Sequence, residues 1–267
     1  MNKKIDILVI GAGPAGVVCA LTARKYYPEK SIMVMKDVAD GVIPCGIPYM
    51  FASLGNPDDN KLSMASLEKN NIEVVVDSAA CINRKEKSVE TAKKDTYIYE
   101  KLVLAVGSTP IILPIKGVDK KGVYPINKEM GYLKGVITEI KKCKNVLVIG
   151  GGFIGVEFAD ELSKIKGISV TLVEMLPQIL ANSFDPEFSQ MAEARLKEKG
   201  VIVLTNTKVE EIIGEDRVER VRFSGGEEIP VDGIILGVGS KPNVKIAVDA
   251  GLEIGSCKGI MVDEYMR

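Results

Sequence analysis

Three groups of residues in this chain have types and spacings that could do chemistry. Gly11-Ala12-Gly13-Pro14-Ala15-Gly16 follows the apolar run 5–10, and Gly150-Gly151-Gly152-Phe153-Ile154-Gly155 follows the apolar run 146–149. Cys45 stands in Ile43-Pro44-Cys45-Gly46-Ile47-Pro48-Tyr49, flanked by prolines and a glycine. Each glycine run has the spacing that cradles a pyrophosphate. Its first glycine permits a tight strand-to-helix turn, its second lets the backbone approach the phosphates, and its third lets the helix pack on the strand. The following helix N-terminus offers free N–H groups and a positive dipole end to the anion. One such run is weak evidence. Two in the right context imply two dinucleotides on one chain, and hydride passing from one to the other.

Each run must be positioned by a strand before it, a helix after it and a second strand beyond. Segments 31–35 and 168–174 supply the second strands, and the small residues Ala20 and Ala159 suit close helix–sheet packing. In such a fold an acid at the end of the second strand accepts hydrogen bonds from a ribose diol. Glu174 holds that place in the second copy and favours NADH over NADPH; a solvated strand-end carboxylate is the plainer alternative. In the first copy Lys36 stands there, with Asp37 beside it. Lysine has no acceptor, so Asp37 substitutes, water does, or Lys36 pairs with the phosphates.

A second repetition supports the first. Leu102-Val103-Leu104-Ala105-Val106-Gly107-Ser108-Thr109-Pro110 is echoed by Ile234-Ile235-Leu236-Gly237-Val238-Gly239-Ser240-Lys241-Pro242. Both are apolar runs suited to buried parallel strands, and both end in Gly-Ser-x-Pro. Further strand-like runs cover 72–76, 97–99, 201–204, 209–213 and 218–223. A helix is predicted over 186–199, with Asp185 as N-cap, Pro186 in the first turn and Gly200 as the stop. Linkers are expected near 110–122 and 225–230. The predicted class is α/β: two Rossmann-like dinucleotide-binding domains of the glutathione-reductase type, three-layered, one inserted in the other.

At 267 residues the chain has room for two domains. A net charge of −1 gives no reason to expect nucleic acid. No apolar stretch approaches the roughly 20 residues that cross a bilayer, so no membrane partner is expected. Met1-Asn2-Lys3-Lys4 leads straight into the first fingerprint strand, unlike a signal peptide. Five cysteines, without a CxxC, suit a reducing cytoplasm. With no histidine, a zinc site is not expected, no other metal site is read, and Ser-His-Asp or Cys-His catalysis is excluded within this chain.

Together these features resemble the FAD-dependent pyridine nucleotide–disulfide oxidoreductases. Within them they resemble the single-cysteine branch of NADH oxidases, NADH peroxidases and coenzyme A-disulfide reductases. The resemblance rests on Gly11, Gly13, Pro14, Ala15 and Gly16 for FAD, and on Ala105-Val106-Gly107-Ser108-Thr109-Pro110 for the strand re-entering near the flavin. It rests also on Gly150, Gly152, Phe153, Ile154 and Gly155 with Glu157 for NAD(H), on Asp232, and on the segments 237–243, which holds Gly239, and 259–267. It implies an FAD domain of residues 1–113 plus 231–267 and an inserted NAD(H) domain of residues 114–230. The isoalloxazine would lie between the nicotinamide and Cys45, Phe153 would gate the nicotinamide pocket, and Glu157 would stand nearby. An ordinary acid near a helix N-terminus is the other reading of Glu157.

The segment around Cys45 resembles the Cys-Gly-x-Pro-Tyr of that branch, and Met50 stands where the two-cysteine reductases carry a second cysteine. Pro48 in a first helical turn would leave Cys45 near a helix N-terminus, where thiolate is favoured. Its oxidised form would be a sulfenic acid or mixed disulfide; a small buried hydrophobe is the plainer reading. Cys19 and Cys81 read as core, Cys143 and Cys257 as loop or surface. The family's peroxidases and water-forming oxidases carry a histidine in the first fingerprint helix, and this chain has none. That leaves a small-molecule disulfide, persulfide or oxygen acceptor. The resemblance also implies a further FAD strand and a C-terminal dimerisation domain beyond residue 267, so a fragment or natural short form is expected, without the interface of the usual homodimer. A nucleotide-binding fragment without full activity and a rubredoxin-reductase-like electron-transfer flavoprotein are the alternatives.

Overall fold

The computed structural model describes residues 2–267, and they divide into two units. The first holds the chain up to Ile43, Leu62–Thr109 and Lys241–Arg267; the second holds Pro44–Lys61 and Pro110–Ser240. The first begins with β1 (Asn2–Ile10), α1 (Pro14–Tyr26) and β2 (Ile32–Lys36), followed by α2 (Ala65–Lys69) and β3 (Glu73–Val76). It continues with β4 (Ala79–Asn83), β5 (Ser88–Thr91) and β6 (Thr96–Leu104). The sheet runs β3-β2-β1-β6-β5-β4, with β3, β2, β1 and β6 parallel and the last two pairings antiparallel. Leu8, Val9, Met33 and Val34 are wholly buried. Strands covered on both faces need unbroken apolar runs rather than alternation.

Register gathers the loops of this unit. Ile10 lies opposite both Met35 and Leu104, so the three strands end together. From β1 the chain proceeds to β2 and β3 on one side and returns at β6 on the other. The common edge is therefore a topological switch point, where ligands bind in such sheets. The runs 97–99 and 102–104, expected as separate strands, are one nine-residue strand, because β6 pairs along the whole of β1. Cys81 is exposed rather than core: it lies on β4, the edge strand, where only Ile82 is buried.

After β7 (Ser108–Pro110) comes the second unit. Its elements are β8 (Val123–Pro125), α3 (Met130–Ile140), β9 (Asn145–Ile149), α4 (Phe153–Ser163), β10 (Ser169–Val173), α5 (Pro186–Glu198) and β11 (Ile202–Leu204). An antiparallel trio follows, β12 (Val209–Ile213), β13 (Arg220–Phe223) and β14 (Glu228–Pro230), and then β15 (Gly233–Leu236). The parallel sheet runs β11-β10-β9-β15-β8. Strands β9, β10, β11 and β15 thus repeat the plan of β1, β2, β3 and β6, and Ile149 meets Val173 and Leu236 as Ile10 meets Met35 and Leu104. The last elements are β16 (Ser240–Pro242) and α6 (Lys245–Asp249). The two Gly-Ser-x-Pro echoes pair with each other as β7 and β16.

Three stretches differ from expectation, the first being residues 110–113, which group with the second unit rather than the first. Residues 231–240, expected with the first domain, contain β15, which pairs with β9 and β8 in the second sheet. Pro44–Lys61, expected with the first domain, groups with the second unit. Cys143, expected in a loop or at the surface, lies in the loop after α3 but is buried, its sulfur facing Gly233, and burial pushes its thiol pKa up. Among the described residues no helix is long and apolar enough to cross a membrane.

Asp6 ties the entry of β2 to β1. Its Oδ2 accepts from the Ser31 N–H at 2.8 Å and the Ser31 hydroxyl at 2.7 Å, and Lys30 lies 3.3 Å from Oδ1. The Ser31 hydroxyl first, then its N–H and Lys30, lower the Asp6 pKa to about 2 from 3.8. A depressed carboxyl contributes stability above its unfolded value, and that contribution is lost as pH falls from about 4 through about 2. An NMR titration is expected to give Asp6 a midpoint near 2, and Ser31→Ala to move it toward the ordinary value. A midpoint unchanged by that substitution would contradict the assignment.

Candidate functional site

Leaving Gly151 aside, the six glycines at the first, third and sixth places of the two fingerprints fall into two kinds. Gly11 and Gly150 have φ of +109° and +104°, a region that L side chains rarely adopt. A Cβ on Gly11 would overlap the Ala105 carbonyl, and one on Gly150 would come within 2.8 Å of the Gly237 carbonyl oxygen. A Cβ on Gly16 or Gly155 would overlap the carbonyl of Gly11 or Gly150 in its own turn. These four are demanded by the chain's own packing.

The middle glycines are not. Gly13 and Gly152 have φ of −72° and −77°, and nothing lies within 4 Å of a Cβ built on either. Each is the N-cap of a helix, α1 or α4, and neither supplies a side-chain cap. Helix N-termini of this kind leave N–H groups for an outside acceptor. Pro14 and Ala15 are exposed in the first turn of α1; Phe153 and Ile154 open α4. The arrangement fits a pyrophosphate at each helix start, approaching where a side chain at position 13 or 152 would stand.

Glu174 follows β10 and is oriented by the loop it serves. Its Oε2 accepts from the Gly151 N–H at 2.6 Å, and its Oε1 from the Leu176 N–H at 2.8 Å. A Cβ on Gly151 would meet the Glu174 Cβ at 2.9 Å, so the extra glycine of the second fingerprint makes room for the acid. Sequence reasoning missed Gly151 as a site residue. Its signal was the contrast with the first copy, where Ala12 and Lys36 hold the equivalent places.

In the first unit a cavity of about 520 Å³ opens at the switch point, lined by Gly11, Asp37, Asp77, Thr109, Lys241 and Asn243 among others. Asp37 is in the lining; Lys36, half-buried at the end of β2, is not. Of the two neighbours, Asp37 is therefore the one that borders the cavity. Asp77 is 7% exposed, and the Thr91 hydroxyl, then the Ser78 N–H, outweigh burial and hold its carboxyl below the usual range. Asn243 donates its N–H to Gly107 at 3.0 Å and its side-chain amide to Val106 at 2.8 Å, pinning the turn after β6. Ala105 donates its N–H to Ile10 at 2.8 Å, and Gly107 turns with φ of +65°. Gly239, with φ of +93°, lies in the second unit. Asp77 and Asn243 were missed as individual residues; Asp77 lies in no periodic pattern, and Asn243 was visible only within the 237–243 motif.

Cys45 is exposed in a 3-10 turn, Pro44–Gly46, while Ile47, Pro48, Met50 and Phe51 just beyond it are buried. The buried-hydrophobe reading is overturned. So is the helix N-terminus: Pro48 opens a 3-10 helix of only four residues, Pro48–Phe51, too short to build a useful dipole. Cys45 is a thiol presented at the surface. Glu157, half-buried on α4, lines a smaller cavity of about 270 Å³ with Tyr49, Asp160 and Arg195, and burial pushes its carboxyl pKa up. Phe153 is 53% exposed and meets Phe184 edge-on at 5.6 Å.

A family model described as pyridine nucleotide-disulphide oxidoreductase matches residues 5–267. The chain belongs to this family. A NADH oxidase of Methanocaldococcus jannaschii is 33% identical over 276 residues, covering 97% of this chain and 60% of that relative. The NAD(P)H coenzyme A polysulfide/persulfide reductase of Pyrococcus horikoshii is 31% identical, covering 100% of this chain and 60% of the relative. Among solved structures, a NAD-dependent persulfide reductase from A. fulgidus matches with a TM-score of 0.90 at 33% identity, over 100% of this chain and 51% of that one. The chain thus spans at most 60% of the length of these three relatives. The family fold, α/β with Rossmann-type sheets, is the one described above.

The two kinds of glycine make a direct test. Gly13→Ala and Gly152→Ala are expected to leave thermal stability within about 0.5 kcal/mol yet weaken FAD and NADH binding respectively, measured by flavin fluorescence and calorimetry. Gly16→Ala and Gly155→Ala are expected to cost about 1–3 kcal/mol or more, as overpacking does. Equal behaviour of all four variants would refute the distinction.

Proposed function

We propose that this chain is the nucleotide-binding part of a flavin-dependent oxidoreductase that uses NADH to reduce a small disulfide or persulfide, or oxygen, with Cys45 as its redox thiol. The observation that carries the reading is the pair of middle glycines, for which the chain itself has no use. The first unit holds FAD, with Asp37 in reach of the adenosine ribose. The second holds NADH, and Glu174 meets its ribose diol. The Gly151 and Leu176 N–H groups pre-orient that carboxylate, and its negative charge disfavours the 2′-phosphate of NADPH.

Bound FAD supplies two-electron exchange between NADH and sulfur or oxygen. The protein's part is alignment. Phe153, edge-on to Phe184, screens the start of α4 from water. Glu157, with its raised pKa, can hold a proton beside the site. Cys45, exposed on its turn, can meet a substrate sulfur. The net reaction balances as NADH + H⁺ + RSSR → NAD⁺ + 2 RSH, or with oxygen as NADH + H⁺ + O₂ → NAD⁺ + H₂O₂. All five cysteines are free, which suits a reducing cytoplasm. The Methanocaldococcus NADH oxidase and the Pyrococcus polysulfide/persulfide reductase, as relatives, support this pair of acceptors.

The test begins with the flavin spectrum. The purified chain with FAD is expected to be yellow and to bleach on anaerobic NADH addition; a chain that binds no FAD contradicts the proposal. Cys45→Ser should keep bleaching and lose disulfide turnover, and unchanged turnover removes Cys45 from the reaction. Glu174→Ala should raise KM for NADH roughly 10- to 100-fold, the scale of a lost charge-assisted hydrogen bond, and erode the preference over NADPH. An unchanged preference excludes the ribose role.

A further inference from the structure

The cysteine is carried on an excursion of the chain. A hydrogen bond from the Leu62 N–H to the Gly41 carbonyl, 3.0 Å, closes its base. Residues Pro44–Lys61 then belong to the second unit, not to the sheet strand they follow. Two of their fastenings are ordinary. Phe51 and Phe158 pack edge to face at 5.0 Å with both rings buried, and Lys134 reaches Asp58 at 2.6 Å near the surface.

The third fastening is different in kind. Glu161, on α4, has a side chain only 2% exposed. Its Oε2 accepts from the Ser53 N–H at 2.9 Å, and its Oε1 from the Ser53 hydroxyl at 2.9 Å and from Lys164 at 2.5 Å. Lys164 also donates to the Ser53 hydroxyl at 3.1 Å. A buried carboxylate is costly unless paired and hydrogen-bonded. The other buried residues of α4 are Gly155, Phe158, Ala159 and Leu162, so an apolar residue at 161 would continue that face. The acid instead satisfies one backbone N–H and one hydroxyl of the cysteine-bearing segment.

From Ser53 the constraint runs stiffly back to the thiol. The Leu54 N–H bonds the Tyr49 carbonyl at 2.8 Å, Met50 bonds Ile47 at 3.1 Å, and Ile47 bonds Pro44 at 3.2 Å. Pro44 and Pro48 fix two φ angles in this path. Gly46 rests against Asn60, whose side chain leaves no room for a Cβ there.

We propose that Glu161 is a positioning residue for Cys45. It fastens the cysteine-bearing excursion to α4, the helix that starts at the second glycine fingerprint, so that the thiol keeps one position relative to the nicotinamide-nucleotide site. The structural half stands on the contacts above; its consequence for turnover rests on Cys45 being the redox thiol.

Hydrogen exchange read by mass spectrometry on the full chain tests the structural half. Glu161→Ala is expected to raise exchange in peptides covering 44–54 by about tenfold or more, as local opening does, with β9, β10 and α5 unchanged. Glu161→Gln keeps a carbonyl acceptor for the Ser53 N–H and should restore most of the protection. Ser53→Ala, which removes only the hydroxyl, should give a smaller rise, and it serves if Glu161→Ala fails to fold. Unchanged protection of 44–54, or loss spread over the whole second sheet, overturns the proposal. With FAD bound, Glu161→Ala should lower kcat for disulfide reduction roughly tenfold or more, the scale of a misplaced reacting group, while flavin bleaching by NADH keeps its rate. Equal loss in both steps overturns the positioning role. Disulfide turnover surviving in Cys45→Ser refutes the redox reading alone, and leaves the exchange result to decide on the tie.

Discussion

Both sheets depend on one close backbone approach, in which the turn leaving the first strand lies directly against its neighbours. In the first unit Gly11 sits on the Ala105 carbonyl, and Gly16 sits on Gly11. In the second, Gly155 sits on Gly150, and a Cβ on Gly237 would stand 2.9 Å from the Gly155 Cα. Nothing larger than glycine fits these contacts. Because they fit, the helix starts hard against the strand ends, and its N-terminus is aimed at the switch point where the loops converge. The middle glycine is then free to serve a ligand rather than the fold.

The two copies solve the same problem with different acids. In the second, Glu174 is held by the Gly151 N–H, and the absence of a side chain at Gly151 makes that bond possible. In the first, Ala12 and Lys36 occupy the corresponding places, and Asp37 faces the cavity with Asp77. Asn243 pins the turn at Val106 and Gly107 beside it.

The segment that carries Cys45 shows how unit membership can depart from chain order. It follows β2 of the first sheet, yet its buried residues Ile47, Met50 and Phe51 group with the second unit, and Glu161 draws its backbone to α4. The thiol is exposed because the residues after it are the anchor. Such an arrangement keeps the sulfur accessible while the segment bearing it is held from below.

Much of this was legible in the residues. The glycine spacings, the apolar runs before them, Ala20 and Ala159 on the packed helix faces, and the echoed Gly-Ser-x-Pro segments specify two modules of one plan, because short-range geometry admits few residues there. Other features were not. The joining of 97–99 to 102–104, the place of β15 in the second sheet, the exposure of Cys81 and the burial of Cys143 all follow from which strand lies next to which. No local pattern encodes that choice. Glu161 carries no signal of its own in the sequence; its partner Ser53 lies more than a hundred residues away along the chain. By itself the sequence determined the two glycine turns and the place of Glu174 after the second strand of its module. Only the tertiary structure decided which acid faces the first cavity and which unit holds the thiol, because both depend on contacts between segments distant in the chain.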